Sequence, residues 1–300
     1  MTNYNLCLTW DWEYDADFVR LLDVACQSRG LSLLQITPEN VSDMMRSLVN
    51  EEIIFQVFFD RASDTDTRFI PIVQWACKHG VRHINLHDLA CRAWDKVAMH
   101  QAISVSMETP LTIVLPSYDE HPSLPAIDLA SLGSSFTIKP AYGGGGDGVV
   151  NGATTLNQLR VARQEFPAQK YLLQDHIVPV QIGPRMAWFR VIYCGGRVYP
   201  CWWDNRTHIY SPVTSDEESR YNLGPLRSLT SSIAPLCGLD LFSTEIALTR
   251  DGGFVIVDYA NNPIDLRLQS KTPDGVPDDI ARDITERLVE LVSTDCPQQQ

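Results

Sequence analysis

Hydrophobic positions change their period again and again along the first ninety residues. The run NLCLTW (5–10) reads as a strand, and DADFVRLLDVACQSRG (15–30) spaces its apolar residues as an amphipathic helix stopped by Gly30. LSLLQI (31–36) is a second strand, and TPENVSDMMRSLVN (37–50) a helix with Thr37 as N-cap and Pro38 in its first turn. IIFQVFF (53–59) is a third strand, DTRFIPIVQWACKHG (66–80) a helix and HINL (83–86) a short strand. Strict alternation of this kind predicts an open parallel α/β sheet. Ligands of such sheets sit beyond the carboxyl ends of the strands, which here carry Trp10, Asp11, Asp60, Arg61 and Asn85. Asp60 and Arg61 fit equally well as a structural pair or a helix cap.

The pattern then changes. LACRAWDKVAMHQAIS (89–104) reads as one helix, followed by TPLTIVLP (109–116) and a looser stretch rich in Pro and Ser to residue 131. From 134 onward strands are joined by short Gly turns: SFTIKP, the helix TLNQLRVARQEF, then KYLLQDHI, AWFRVIYCGGRVYPCWWD and TEIALTRDGGFVIVDY. Residues 205–225 read as a polar loop, PLRSLTSSIAPLCG as a helix before the last hairpin, and DDIARDITERLVELVST as the final helix. This half is α+β with antiparallel hairpins, which sets a boundary near residue 90. The tail TDCPQQQ is expected to fray.

Composition narrows the class. With 300 residues, 44% hydrophobic and 20% charged, the chain is an ordinary globular protein of two or three lobes. No apolar run reaches the roughly 18 residues of a membrane helix, and the start MTNYNLCLTWDWEYD lacks the flank of a signal peptide, so the cytoplasm is expected. The eight cysteines show no C-x-x-C and no zinc spacing, as expected of structural thiols in a reducing compartment. A net charge of −13 argues against a nucleic-acid partner, although a basic pocket for a small anion is compatible with it.

IKPAYGGGGDGVV (138–150) is the first candidate site. A P-loop would continue Gly-Lys-Ser/Thr into a helix, whereas Asp147 and Gly148 follow here. Gly143, Gly145 and Gly148 formally meet the dinucleotide pattern G-x-G-x-x-G, yet VVNGA intervenes before helical spacing resumes near Thr155. The remaining reading is a flap in which Gly143, Gly144, Gly145 and Gly146 bring backbone N–H groups onto phosphate oxygens, with Lys139 as a fixed cation on the preceding strand.

The second lies in FSTEIALTRDGGFVIVDYANNPIDLR (242–267). A symmetric two- or four-residue turn centred on Asp251-Gly252 places Glu245 opposite Asp258 on one face. Opposed carboxylates are destabilising unless one is protonated or a cation lies between them. Asn261 adds a neutral oxygen, and the set suits Mg²⁺, which takes few protein ligands and fills its shell with phosphate and water. A three-residue turn would break the pairing and leave two solvated acids.

Across roughly residues 90–290 these motifs resemble the ATP-grasp superfamily. The Lys-Pro strand and glycine flap resemble its phosphate-binding lobe, KYLLQDHI its adenine hinge and STEIALTRDGGFVIVDYANNP its acid–acid–Asn magnesium hairpin. The alternating segment ahead is similar to the usual preceding substrate domain, and AWDKVAMHQAIS to the helix bearing an earlier ATP-contacting lysine, Lys96. The resemblance implies an α/β domain over 1–90, an ATP-grasp small lobe over 91–170 and a metal-bearing lobe over 171–300. It assigns Gln174 and Ile177 to the hinge. In two places the chain departs from the pattern: Gln174 replaces the usual hinge acid, and Asp258 and Asn261 stand three apart, with Asn262 as a competing ligand.

What the resemblance implies is an ATP- and Mg²⁺-dependent ligase, with Mn²⁺ as an acceptable substitute. It would activate a small-molecule carboxylate as acyl phosphate for attack by an amine or thiol. Arg190 and Arg267 would clamp the acyl phosphate or the carboxylate, and the flap would exclude water. A kinase on the same scaffold and a non-catalytic nucleotide-binding protein are the alternatives. His208 and Tyr210 in the polar loop fit either an acceptor contact or solvent. A homodimer is left open; no membrane partner is expected.

Overall fold

The computed structural model describes residues 1–124 and 126–295. Of the tail expected to fray, Thr294 and Asp295 belong to the last helix, and residues 296–300 lie outside the described residues. The first part alternates as the periodicity predicts: β1 (Thr2–Trp10), α1 (Ala16–Ser28), β2 (Leu33–Ile36), α2 (Val41–Val49), β3 (Ile53–Arg61), α3 (Ile70–Lys78) and β4 (Arg82–Ile84). The four strands form a parallel sheet in the order β2-β1-β3-β4. One correction concerns the cap of α2. Thr37 and Pro38 lie in the turn ahead of it, and Asn40 stands at the N-cap, its amide tying that turn to Gln35 and Thr37.

The single helix expected over 89–104 is two helices, α4 (His87–Trp94) and α5 (Lys96–Ile103). Asp95 divides them in an extended conformation, and its carboxylate accepts from the N–H groups of Val97 and Ala98. Aspartate competes with the helical backbone in this way, so the N-cap it supplies outweighs continuity.

A four-stranded antiparallel sheet follows, built from β5 (Thr112–Leu115), β6 (Phe136–Pro140), β7 (Val150–Ala153) and β8 (Tyr171–Asp175) in the order β5-β8-β6-β7. The helix α6 (Leu156–Glu165), closed by a Thr155/Gln158 capping box, packs Leu159 and Ala162 against its Phe136, Ile138 and Leu173. After the small hairpin β9 (Gln181–Ile182) and β10 (Arg185–Met186) comes a five-stranded antiparallel sheet. It comprises β11 (Trp188–Cys194), β12 (Arg197–Asp204), β13 (Ile209–Pro212) and, after the helices α7 (Ser215–Arg220) and α8 (Pro225–Cys237), β14 (Leu241–Leu248) and β15 (Phe254–Asn261). The stretch 205–225 therefore holds β13 and a capped helix where a loop was expected; Thr214 and Glu217 form the capping box.

The last helix, α9 (Asp278–Asp295), returns to the first sheet. Its Ile284, Leu288 and Val292 share one core with Phe18 and Leu22 of α1, Leu6 and Leu8 of β1, and Ile192 and Leu241 of the five-stranded sheet. A second core, under α8, covers the other face of the five-stranded sheet. All seven described cysteines are free, and five are buried. Among the described residues no helix is long and apolar enough to cross a membrane.

Candidate active site

Glu245 of β14 faces Asp258 of β15, as the sequence predicts, but by another route. The turn holds three residues, Arg250–Gly252, closed between Thr249 and Gly253. Near the turn Ile246 pairs with Ile256, which alone would bring Val257 opposite Glu245. A β-bulge at Val257 slips the register by one and delivers Asp258 instead. A second bulge lies beyond it, because Ser243 pairs with Asn261. The extra residue between Asp258 and Asn261 is absorbed there, so Asn261 returns to the face of the two acids. Asn262 is engaged elsewhere: its side-chain oxygen accepts from Asn85 at 2.6 Å and its carbonyl from the Trp94 indole at 2.5 Å.

On β11, Arg190 pairs with Glu245, which extends the row to three charged side chains across three strands. Its guanidinium lies 3.8 Å from Glu245, donates to Ser243 Oγ at 3.2 Å and stacks 4.9 Å over Trp203. Trp188 Nε1 donates to Glu245 at 2.9 Å. Burial pushes the Glu245 carboxyl up, Asp258 adds to that, and Arg190 opposes it. Burial also pushes Asp258 up, but Lys139, Lys96, a hydrogen bond from Asn261 and Arg190 together outweigh it and hold that carboxyl below its usual range. One acid raised and one lowered is the signature of a pair short of positive charge. Two hard carboxylates and an amide oxygen on one face suit Mg²⁺.

Both lysines reach this place. Lys139, on β6, crosses to β15 and donates to the carbonyl oxygen of Val257 at 3.0 Å. Lys96 opens α5 beside the Asp95 cap; its backbone N–H donates to Ala141 at 2.9 Å and its ammonium to the carbonyl oxygen of Gly143. Burial lowers the pKa of Lys96, Asp258 opposing and Lys139 adding to the effect. The flap of Gly143–Gly146 is exposed at the tip between β6 and β7. Gly145 and Gly146 stand at φ +62° and +84°, a region closed to most side chains.

The other expected residues are placed differently. Gln174 is 1% exposed, and its amide donates to Tyr259 Oη at 2.9 Å and Thr112 Oγ1 at 3.1 Å. Its amide N–H groups are thus committed to a network that includes His100, 2.7 Å from the same Tyr259 hydroxyl. Ile177 is half-buried just past β8. Arg267 binds Asp265 at 2.6 Å and Asp274 at 2.8 Å, and lies 5.4 Å over Trp12. It meets the carboxylate row only through Asp265, whose charge also acts on Arg190. Tyr210 is 4% exposed in the core beside Arg190, and His208 stacks on Trp203. Sequence reading missed the Tyr259–Gln174–His100 network and Trp188, since both depend on long-range pairing with no periodic signal.

Comparison with known proteins bears on the fold. No family model matches the sequence, and no curated protein does. Solved structures do match over nearly the whole chain. D-cycloserine synthetase DcsG is 16% identical, with 96% of this chain and 99% of that one covered and a TM-score of 0.63. The ATP-grasp ligase PsnB, complexed with minimal precursor, Mg and ADP, is 11% identical over 99% and 100% of the two chains, at 0.64. D-alanine–D-alanine ligase from Bacillus anthracis, complexed with ATP, is 11% identical over 98% and 97%, at 0.66.

Proposed function

We propose that this chain, which carries the ATP-grasp fold, is an ATP- and Mg²⁺-dependent ligase that joins a carboxylate to an amine through an acyl phosphate. The observation that carries this reading is the convergence of Glu245, Asp258 and Asn261 with Lys139 and Lys96 beside a glycine flap. Its structural neighbours include ligases with ADP and Mg, or ATP, in the complex.

In this reading ATP supplies the phosphoryl group and Mg²⁺ offsets charge on the phosphate oxygens. Glu245, Asp258 and Asn261 hold the metal. Lys139 and Lys96 give up their carbonyl partners, Val257 and Gly143, for phosphate oxygens, a stronger charge-assisted contact. Arg190 lies in the row beside Glu245 and meets the negative charge that builds on the transferring group. The flap closes over the phosphates and keeps water from the acyl phosphate. Arg267, with both its acidic partners, orders the Asp265 loop next to Arg190 and does not touch the reacting atoms. The N-terminal parallel sheet (1–90) serves the substrates, and residues 91–170 and 171–300 form the two nucleotide-holding lobes.

Calorimetric titration of ADP, with and without Mg²⁺, into wild type and Asp258→Asn tests this. Binding that requires Mg²⁺ and weakens at least about tenfold in the variant is expected, the scale of a lost charge-assisted contact. No binding to either protein sinks the reading and leaves the fold alone.

A further inference from the structure

A small, partly open pocket with room for about one water-sized group lies between the carboxyl end of β3 and the start of α4, with Asp60, Ser63, Asp64, His87 and Trp94 in its walls and Asn262 at one side. Hydrogen-bond direction fixes the chemistry inside it. The Asp60 carboxylate accepts from Thr9 Oγ1 at 2.8 Å, from the backbone N–H groups of Ala62 and Ser63 at 3.2 and 3.1 Å, and from the Ser63 hydroxyl. The one hydroxyl proton of Ser63 is thereby used, so toward His87 Nδ1, 3.2 Å away, its oxygen can only accept. His87 therefore carries its proton on Nδ1, and Nε2 is left as the basic nitrogen. Its neighbour there is the thiol of Cys91, 3.4 Å away and a weak donor.

That thiol is no rival nucleophile: burial and the charges of Asp88, Asp60 and Asp64 all push its pKa up. Asp64 is pushed up as well, by burial first and then by Asp60 and Asp11, with its own backbone hydrogen bond and Arg61 opposing. Among the described residues no lysine or arginine lines the pocket. Two acids, one basic imidazole and neutral amides favour a cation and disfavour a carboxylate.

Chain continuity links the pocket to the proposed centre. Trp94 in its wall is two residues before Lys96, and Asn262 directly follows Asn261, with the Trp94 indole bonded to the Asn262 carbonyl. We infer that this pocket seats the ammonium head of the acceptor of the ligation, an amine arriving in its protonated form, and that His87 Nε2 takes its proton. The inference rests on the ligase reading above. One ammonium proton passes to Nε2, and the freed lone pair forms the C–N bond to the acyl carbon. The C–O bond to phosphate breaks, and the second proton leaves with the phosphate as hydrogen phosphate, giving a neutral amide. Ser63 and Asp60 act through His87 and are positioning residues.

The test is nuclear magnetic resonance on intact protein with ¹⁵N-labelled histidine, the His87 signals being identified among seven histidines by their loss in His87→Gln. The Nδ1–H tautomer is expected in wild type, and Ser63→Ala should shift it toward a mixture while the other six signals stay in place. n-Butylammonium should move the His87 signals in a saturable way, about tenfold more weakly in Asp64→Asn, and butyrate should not. An Nε2–H tautomer overturns the base assignment. A response to butyrate, or none to n-butylammonium at about 50 mM, overturns the amine pocket, because binding weaker than that is worth less than about 2 kcal/mol. Such a failure with ADP–Mg²⁺ binding intact would remove the pocket alone, whereas an amine response without ADP binding would remove the ligase reading.

Discussion

Lys139 donates to the carbonyl oxygen of Val257 at 3.0 Å, and Val257 is the residue at the first bulge of the β14–β15 ladder. A bulged residue has a backbone group to spare. The same irregularity that brings Asp258 opposite Glu245 therefore gives the Lys139 ammonium a carbonyl acceptor. Lys96 rests on Gly143 in the same manner.

Lys139→Ala should raise the dissociation constant of ADP–Mg²⁺ more than about tenfold, from the loss of a charge-assisted contact of about 1.5–3 kcal/mol. Calorimetry reads this directly. An unchanged constant would remove Lys139 from the site.

The raised Glu245 and lowered Asp258 make opposite contributions to stability. Glu245 holds its proton more tightly folded than unfolded, so its contribution is full below the ordinary glutamate value of 4.5 and is lost as pH rises through the folded value. Asp258 contributes above the ordinary aspartate value of 3.8 and loses that contribution as pH falls through its lower folded value. Without metal, Glu245→Gln should gain in Tm over wild type as pH rises toward neutrality. Millimolar Mg²⁺ should erase that gain by stabilising wild type. Thermal unfolding from mildly acidic to neutral pH checks it; a gap that ignores Mg²⁺ would count against a metal between the acids.

Asp95→Ala should lower stability by about 1 kcal/mol through loss of the α5 cap. Tyr142 Oη also donates to Asp95, at 3.2 Å, and Lys96 is the next residue, so ADP affinity should fall as well. Asp95→Ser restores the cap. Urea unfolding and ADP titration on both variants separate the two effects, and a stability loss with unchanged affinity would uncouple the cap from the nucleotide.

Two glycines at the flap should answer differently to alanine. At Gly148, φ is +66° and a Cβ would meet the Phe166 ring at 2.5 Å, so Gly148→Ala should cost the backbone strain of about 1–2 kcal/mol and a clash besides. At Gly145, φ is +62° with nothing within 4 Å, so only the strain applies. Denaturant midpoints should rank wild type, Gly145→Ala and Gly148→Ala in falling order; equal midpoints would mean that the ring yields.

Much of this was legible in the sequence where local rules suffice. Alternating periods announced the parallel sheet, and the Asp-Gly turn announced the last hairpin. The opposition of Glu245 and Asp258 was foreseen on a symmetric turn, whereas the chain uses a three-residue turn and a compensating bulge. Bulges leave no mark in apolar alternation, because one extra valine after Val255 and Ile256 looks like more strand. Gln174 read as a hinge contact, yet its partners Tyr259 and Thr112 come from distant segments that only the fold brings near. The break at Asp95 was masked by good helix formers on both sides.

The packing of α9 against α1 has a consequence for biogenesis. During synthesis the first sheet emerges early, but the face that carries α1 stays only partly covered until the final helix is made, after both other sheets. Apolar residues of α1 and β1 are exposed throughout that interval, which is when a nascent chain is most open to chaperones and to aggregation. A ribosome that stops short of α9 would release a chain whose earliest element had never been sealed.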